Sequence, residues 1–348
     1  MNKKLFICGN YLGGKPTTDG QTVKTKVVTE EIVNKFGTSN CIIVDTYKSA
    51  RAMLSLYFTV LPTMFRYRHA IIFPAQNGLL FLSPVFCLAN LLFGVRIHYV
   101  VIGGWLPLFV NKHAFLKILL RRFDCIYAET QSMVDRLKEE GLSNVVVMPN
   151  FKKLEQLKTP KKDLSENEVI RLCTFSRVMK EKGIEDAVKA VTQANKALGD
   201  TVFSLSVFGT VQSGQEDWFE SLKKEFPIYI TYEGVIRSDE AVATLQNYHI
   251  LLFPTYYDGE GFAGTLIDAF AAGLPIVASD WRYNSEIVEE GKTGWLFRTR
   301  HVEELQDILI AISRNRHEIV RMSANCLEES KKYLPDNATK ILFENISS

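Results

Sequence analysis

The chain has 348 residues, which is more than one hydrophobic core usually supports, so we expect two domains. Hydrophobic residues make up 47% and charged residues 23% of the sequence, which is typical of a folded globular protein and excludes a disordered one. The formal net charge of +2 is too small for general nucleic-acid binding, and we expect no nucleic-acid partner.

The N-terminal run MNKKLFICGN predicts a first strand, because its apolar part is too short for a signal peptide. Further short apolar runs predict strands in the first half at Lys4–Cys8, Cys41–Asp45, Ala70–Phe73, Ile97–Ile102, Cys125–Ala128 and Val145–Pro149. Helical patterns lie at Thr22–Phe36 and Ser132–Glu140. The apolar segment Leu79–Phe93 is too short to span a membrane and contains Pro84 and Asn90, so we predict a buried helix packed on a sheet.

Two other segments of this half combine apolar and basic residues. Ser49–Arg68 predicts a helix broken near Pro62, and Ala114–Phe123 predicts a second helix. Both fit helices packed on a sheet with solvated ends, and both also fit contact with an anionic membrane surface. The six cysteines form no Cys-x-x-Cys pair, so we expect reduced thiols in a cytoplasmic protein, with peripheral membrane contact as an open alternative.

A lysine-rich stretch without apolar periodicity, 151–168, predicts an interdomain linker. Beyond it, strands are predicted at Val169–Ser176, Phe203–Phe208, Ile228–Glu233, Ile250–Pro254 and Pro275–Ser279. Helices are predicted at Ile184–Ala197, Asp217–Phe226, Ser238–Asn247, Gly264–Ala272 and Val302–Arg314. The alternation predicts an α/β protein of two Rossmann-like domains whose parallel sheets face a central cleft. The domains would span 1–150 and 169–327, and 328–348 would form a helical segment that packs back on the first domain.

The stretch from Tyr256 to Asp280 carries the strongest chemical pattern, with a loop, a helix that begins near Gly264, and a following strand. The free backbone N–H groups of the helix's first turn favour an anion, and Gly261, Ala263 and Gly264 let a phosphate approach closely. Glu260 precedes this helix and Asp268 lies eight positions after Glu260, within the helix. We therefore expect Glu260 to reach a group beyond the phosphates and Asp268 to accept from a hydroxyl on the nucleoside side. A solvated Glu260 and an ordinary surface Asp268 are the alternative.

Two loops that follow strands add to this pattern. Arg177 and Lys182, in FSRVMKEKG, are suited to neutralise a diphosphate leaving group, although a solvated basic turn is the alternative. Gly13 and Gly14 permit a tight turn close to a ligand, although taken alone they favour a plain surface turn. They do not form a Gly-x-Gly-x-x-Gly motif, which disfavours NAD.

The stretch DGEGFAGTLIDAFAAGLPIVASD resembles the donor-site signature of retaining, family-4 type glycosyltransferases with the GT-B fold. FSRVMKEKG, FGTVQSG and YEGVIRSDE resemble further segments of that family, and Gly13-Gly14 resembles its glycine loop. The resemblance implies a retaining, metal-independent transferase with no cofactor, which moves a sugar from a nucleotide-sugar donor, a UDP-sugar, to a glycan or lipid-linked acceptor. Bacterial surface polysaccharide assembly is the implied setting.

The resemblance also implies residue roles. Arg177 and Lys182 would hold the diphosphate and Glu260 the transferred sugar. The implied substrate-binding set is completed by Gly13, Gly14, Gly104, Ile236, which flanks the base, Gly261, the backbone of Phe262, Ala263, Gly264 and Thr265, and Asp268 at the ribose hydroxyls.

The chain departs from the family pattern in two places. Asp268 is shorter than the family's second glutamate, and Gly103-Gly104-Trp105 stands where many members carry a histidine. We assign that histidine's role neither to His98 nor to His113. Two alternatives therefore stay open: a nucleotide-sugar epimerase of GT-B fold, and a non-catalytic GT-B subunit that binds a partner transferase. The epimerase would need acid–base carboxylates in the first domain, for which the candidates are Asp19, Asp45, Asp124 and Glu129.

Overall fold

The computed structural model describes residues 4–14, 20–47, 58, 60–154 and 164–348, which fall into two compact units. The first unit comprises Met1–Phe151 and Pro335–Ser348, and the second comprises Lys152–Leu334. Each unit is built on a parallel six-stranded sheet, which confirms the predicted α/β class. Half of the predicted linker 151–168, residues 155–163, lies outside the described residues.

The first sheet has the strand order β2-β1-β3-β4-β5-β6. Its strands are β1 (Lys4–Gly9), β2 (Cys41–Asp45), β3 (Tyr67–Ile72), β4 (Arg96–Val100), β5 (Cys125–Ala128) and β6 (Val145–Val147). The described helices of this unit are α1 (Gly20–Phe36), α2 (Gln76–Phe93), α3 (Leu106–Lys112), α4 (Ala114–Leu120), α5 (Gln131–Glu139), α13 (Pro335–Ala338) and α14 (Lys340–Ser347).

The second sheet has the order β12-β11-β10-β7-β8-β9. Its strands are β7 (Ile170–Phe175), β8 (Phe203–Phe208), β9 (Ile230–Gly234), β10 (Ile250–Phe253), β11 (Ile276–Asp280) and β12 (Gly294–Arg298). The helices are α6 (Ile184–Leu198), α7 (Glu216–Lys223), α8 (Ala241–Leu245), α9 (Gly264–Ala271), α10 (Asn284–Ile287), α11 (Val302–Arg314) and α12 (His317–Ser330).

Each sheet has one switch point, which is a pair of neighbouring strands from which the chain proceeds toward opposite edges of the sheet. In the first unit this point lies between β1 and β3, and in the second it lies between β7 and β10. Ligands of open α/β sheets bind outside the carboxyl ends of the strands at such points. The loops after β1, β7 and β10 are therefore the places where a site is expected, and they carry Gly13, Lys182 and Glu260.

The last helix belongs to the first unit. Leu342 and Ile346 of α14 are buried in the core that α1 and strands β1, β3 and β5 form, and Phe343 packs edge-on against Phe36 with ring centroids 5.8 Å apart. The chain returns to the first unit at Pro335 rather than at residue 328, because α12 still belongs to the second unit.

Two predictions for the first unit need correction. The predicted helix Ser49–Arg68 does not extend to its end, because Leu61–Arg66 is a 3-10 helix and β3 begins at Tyr67; residues 48–57 and 59 lie outside the described part. The helix α2 is not buried all round, since Leu91 and Leu92 are exposed while Leu82 and Phe86 lie in the core. Among the described residues, α2 alone has the length and apolar composition to span a membrane, and 39% of it is buried in the protein.

Candidate functional site

The loop after β7 is held tightly against the end of β10. Lys182 ends a 3-10 helix, Lys180–Lys182, and Gly183 follows with a positive φ of 69°. A Cβ atom at Gly183 would lie 2.1 Å from the carbonyl oxygen of Pro254, which is closer than any side chain can be. Glycine is thus required where the two loops meet, and this contact brings Lys182 to the loop that carries Glu260.

Lys182 and Glu260 form a buried ion pair. The distance from Lys182 Nζ to Glu260 Oε2 is 2.6 Å, and the two residues are 9% and 6% exposed. Thr255 Oγ1 donates a second hydrogen bond, of 2.8 Å, to the same carboxylate oxygen. The ammonium group also lies 5.1 Å from the centroid of the Tyr257 ring. Glu260 is therefore not the solvated residue of the alternative interpretation.

Arg177 lies on the exposed side of the same cluster. Its guanidinium carbon is 5.6 Å from the centroid of the Tyr257 ring, and its Nη1 donates to Gln212 Oε1 at 3.2 Å. Trp281 Nε1 donates to the carbonyl oxygen of Tyr257 at 2.9 Å, which fixes the loop. Tyr257 is thus the common neighbour of the two cations, which the structure brings together as the sequence predicts.

The helix α9 begins at Gly264, with Ala263 as its N-cap, directly after the Glu260 loop. Thr265 Oγ1 donates to the carbonyl oxygen of Phe175 at 2.7 Å and so ties this helix to the end of β7. The ring of Phe262 packs edge-on against Tyr333, and Gly261 is buried. Because the first N–H groups of a helix have no partner within it, an anion is favoured here next to Lys182.

Asp268 is buried in α9 with only 2% of its surface exposed, which excludes an ordinary surface position. Its Oδ2 accepts from Lys152 Nζ at 2.5 Å, whereas its Oδ1 has no hydrogen-bond partner in the described part of the chain. Burial raises the pKa of Asp268, and the charge of Lys152 opposes that rise. A buried carboxylate oxygen without a partner is an acceptor available to a ligand hydroxyl.

In the first unit, a carboxylate holds the glycine loop. Asp45 is the last residue of β2, and its Oδ2 accepts from the backbone N–H of Gly13 at 2.8 Å. Its Oδ1 accepts from the N–H of Tyr11 at 2.9 Å. Gly13 adopts the left-handed conformation with a φ of 59° inside the 3-10 helix Leu12–Gly14. The loop is thus a defined turn at the switch point of the first sheet.

A second buried ion pair lies beside the Gly103-Gly104 turn. Lys24 Nζ is 2.6 Å from Glu129 Oε1, and the side chains are 3% and 2% exposed. Glu129 Oε2 also accepts from the N–H of Gly103 at 3.2 Å, and Gly104 is buried. The turn after β4 is therefore fixed by a carboxylate from the end of β5 and a lysine from α1.

These features agree with a comparison against known families. The family model described as "Glycosyl transferases group 1" matches residues 155–332, which is just over half of the chain. The chain belongs to the group 1 glycosyltransferases. The matched residues include the Lys182 loop, Glu260 and the whole of α9.

Curated relatives are similar over limited lengths. The uncharacterized glycosyltransferase MJ1069 of Methanocaldococcus jannaschii is 28% identical over 42% of this chain and 37% of its own length. The GtfA subunit of a UDP-N-acetylglucosamine–peptide N-acetylglucosaminyltransferase from Streptococcus pneumoniae is 35% identical over 38% of this chain and 26% of its own. The chain thus covers between a quarter and two fifths of the length of these two curated relatives.

Solved structures resemble the whole chain. Anabaena HepE in complex with UDP superposes with a TM-score of 0.76 at 14% identity, covering 99% of both chains. The lipopolysaccharide outer core galactosyltransferase WaaB superposes with a TM-score of 0.73 at 12% identity, also over 99% of both. At such identities the likeness concerns the fold, and it confirms the predicted GT-B architecture.

For a group 1 glycosyltransferase, the positions of the histidines matter. His98 is buried within β4, where its Nε2 lies 2.9 Å from His69 Nδ1 and its Nδ1 lies 2.9 Å from Tyr127 Oη. His113 lies between α3 and α4, with its ring centroid 4.5 Å from that of Phe109. Both imidazoles are engaged in packing within the first unit, consistent with leaving the family histidine's role unassigned.

Sequence reasoning missed three residues of the site: Lys152, Thr255 and Tyr257. Lys152 is one of several lysines in a segment without periodicity, so no local signal distinguishes it. Thr255 and Tyr257 lie in the loop after β10, and their closeness in sequence to Glu260 is the signal that could have indicated them. Ile236, two residues beyond the end of β9, is half-buried, and no contact between it and Lys182 or Glu260 is described.

Proposed function

We propose that this glycosyltransferase moves a sugar from a UDP-sugar to a glycan or lipid-linked acceptor, with retention of configuration and without a metal ion or cofactor. The observation that carries the proposal is the buried Lys182–Glu260 pair beside the first turn of α9, at the switch point of the second sheet. The HepE structures, one with UDP and one with UDP-glucose, support the choice of donor by fold.

The diphosphate would lie against the first turn of α9, with Lys182 and Arg177 as its cations. Negative charge grows on the diphosphate as the bond to the sugar breaks, so fixed cations stabilise the transition state more than the bound donor. The two cations share the Tyr257 ring and are held by hydrogen bonds to Glu260 and Gln212. Little reorganisation is then needed when the charge develops.

Glu260 would bind the transferred sugar. Its two described hydrogen bonds, from Lys182 and Thr255, both fall on Oε2. We assign Oε1 to a sugar hydroxyl, because a carboxylate held on one oxygen presents the other in a fixed direction. In the same way Asp268 Oδ1, buried and without a hydrogen-bond partner in the described residues, would accept from a ribose hydroxyl.

Retention would not need a side-chain base. We propose that the acceptor hydroxyl attacks the anomeric carbon on the face that the diphosphate leaves, and that a diphosphate oxygen takes the acceptor's proton. The bond to the acceptor forms as the bond to the diphosphate breaks, so the products are the glycoside and UDP. The glycine turn at Gly103-Gly104 is compatible with this scheme, since no side chain there needs to accept the proton.

The first test is thermal stabilisation by UDP and a panel of nucleotide sugars. A ligand at a hundredfold excess over its Kd stabilises the folded protein by about 2.7 kcal/mol, a Tm shift of about 5 to 10 °C. We expect UDP to stabilise wild type and Glu260→Gln equally, and one UDP-sugar to give an additional shift in wild type alone. Glu220→Gln, at an exposed glutamate of α7, is the matched control and should behave as wild type.

The outcomes separate the alternatives. The absence of a shift with every nucleotide would contradict the assigned donor site. Donor binding without turnover on glycan or lipid-linked acceptors would support a non-catalytic subunit, and rearrangement of the donor without an acceptor would support an epimerase. The structure disfavours three of the acid–base residues that an epimerase would need. Asp45, Asp124 and Glu129 each accept a hydrogen bond from a backbone N–H group. The fourth, Asp19, lies outside the described residues.

A further inference from the structure

The first unit has an unusual charge distribution. From Thr46 to Phe123 the sequence contains no aspartate or glutamate, but it contains nine lysines and arginines. The whole chain carries +2, so this segment carries +9 and the remainder carries −7. The basic residues are Lys48, Arg51, Arg66, Arg68, Arg96, Lys112, Lys117, Arg121 and Arg122. A positive region of this kind attracts an acidic surface.

The same segment exposes many large apolar side chains. Leu91 and Ile118 are each 65% exposed and Phe65 is 61% exposed, values unusual for residues of this size in a folded protein. We call the following residues the apolar face: Phe65, Phe81, Leu88, Leu91, Leu92, Phe115 and Ile118. They come from the 3-10 helix Leu61–Arg66, α2 and α4.

These three elements form one continuous surface with α2 in the centre. On one side, the rings of Phe65 and Phe93 have centroids 6.4 Å apart. On the other, Cys87 Sγ donates to the carbonyl oxygen of Leu119, 3.1 Å away. The exposed residues of α2 recur at helical spacing on the face opposite Leu82 and Phe86, which are buried in the core.

Positive charge lies within the apolar face and around it. The guanidinium carbon of Arg66 is 5.4 Å from the centroid of the Phe65 ring. Lys112, at the end of α3, and Arg121 and Arg122, directly after α4, are exposed. Exposed apolar side chains next to basic ones match a bilayer interface, where acyl chains lie beneath anionic headgroups.

We propose that the apolar face is a docking surface for a bilayer that contains anionic lipids. The buried side of α2 is part of the protein core, so this helix lies along the interface rather than across the membrane. A symmetric contact with a second copy is disfavoured, because it brings two +9 segments together. The proposal does not depend on the donor site, and vesicle binding is measured without any nucleotide.

Co-sedimentation with vesicles tests the proposal on the full chain. We expect binding to phosphatidylcholine vesicles that contain phosphatidylglycerol, much weaker binding to pure phosphatidylcholine, and loss of binding at high salt. Arg66→Gln should weaken binding about fivefold. Leu91→Ser combined with Ile118→Ser should weaken it by more than about tenfold. Ile228→Ser, at an apolar residue 98% exposed in the second unit, is the matched control and should bind as wild type.

Three results would overturn the proposal. The first is no binding to anionic vesicles at low salt by a protein with an unchanged melting temperature. The second is an equal loss of binding in the Ile228→Ser control. The third is a dimer in light scattering that the Leu91→Ser, Ile118→Ser variant converts to a monomer, because the apolar face would then belong to a second copy of the chain.

Discussion

Asp268 is buried, and Lys152 is the cation beside its carboxylate. Lys152 supplies the charge at 2.5 Å, while burial raises the pKa of Asp268. Lys152 is 27% exposed in its side chain, so its own desolvation is incomplete. Removal from water therefore destabilises the charge of Asp268 more than that of Lys152. A buried charge that lowers the stability of the folded protein is typical of a binding site.

Replacement of Lys152 by methionine should therefore destabilise the second unit, by about 1 to 3 kcal/mol after allowance for its partial exposure. The expected loss arises because Asp268 must then be buried without a cation or take up a proton. Urea denaturation measures the change. Lys152→Met combined with Asp268→Asn should be more stable than Lys152→Met alone, and equal or lower stability of the double variant would contradict this account.

His98, in the first unit, has a pKa well below its ordinary value. Burial is the main cause that lowers the pKa of His98 from 6.5 to about 3, with His69 and Arg96 adding to the effect. The neutral ring connects His69 to Tyr127, and Asn345 of α14 donates to the Tyr127 hydroxyl at 3.1 Å. This chain of hydrogen bonds joins three strands to the last helix.

The pKa of His98 predicts how the first unit responds to acid. Between pH 6.5 and 3 the unfolded chain binds a proton at His98 and the folded chain does not, so the free energy of unfolding decreases as the pH falls. The slope from this residue is at most about 1.4 kcal/mol per pH unit. Hydrogen exchange of β4, corrected for intrinsic rates, should show this decrease, and His98→Gln should show a smaller slope.

Among the helices, α14 is short but contributes two buried side chains to the core of the first unit. Leu342 is fully buried, and Ile346 is 5% exposed. Leu342→Ala should destabilise the first unit by about 2 to 5 kcal/mol, because it removes buried methyl groups and leaves a cavity. Glu344→Ala, at an exposed position of the same helix, should change stability by less than about 0.5 kcal/mol. Equal effects in a denaturation experiment would show that α14 does not pack as described.

The central strands could be predicted from the sequence because of where they lie. Every residue of β5 and of β10 is buried, so these strands are continuously apolar and stand out from their neighbours. The edge strand β12 was not predicted; unlike β5 and β10, Gly294–Arg298 is only partly buried. The segment Leu61–Arg66 was predicted as part of an α-helix, and its periodicity did not distinguish that from a 3-10 helix.

Across the whole molecule, the parts of the candidate site that could be predicted are the loops that directly follow a strand. The loops after β7 and β10 carry Lys182 and Glu260 in recognisable patterns, and neighbouring strands bring them together. Lys152 was not predictable, since it reaches Asp268 across 116 residues from a segment without secondary structure. Which residues pair over such a distance in sequence depends on how the whole unit packs, and local sequence patterns do not show this.

The return of the chain to the first unit at Pro335 has a consequence for synthesis on the ribosome. Strands β1 to β6 are complete at Val147. The helix α14, whose Leu342 and Ile346 are part of their core, is made only after the entire second unit. At about 5 to 20 residues per second, the interval from Phe151 to Pro335 lasts about 10 to 40 s. During that time the nascent first unit has an apolar surface open to chaperones, whereas the second unit is one continuous stretch, Lys152–Leu334, and is complete before α14 is made.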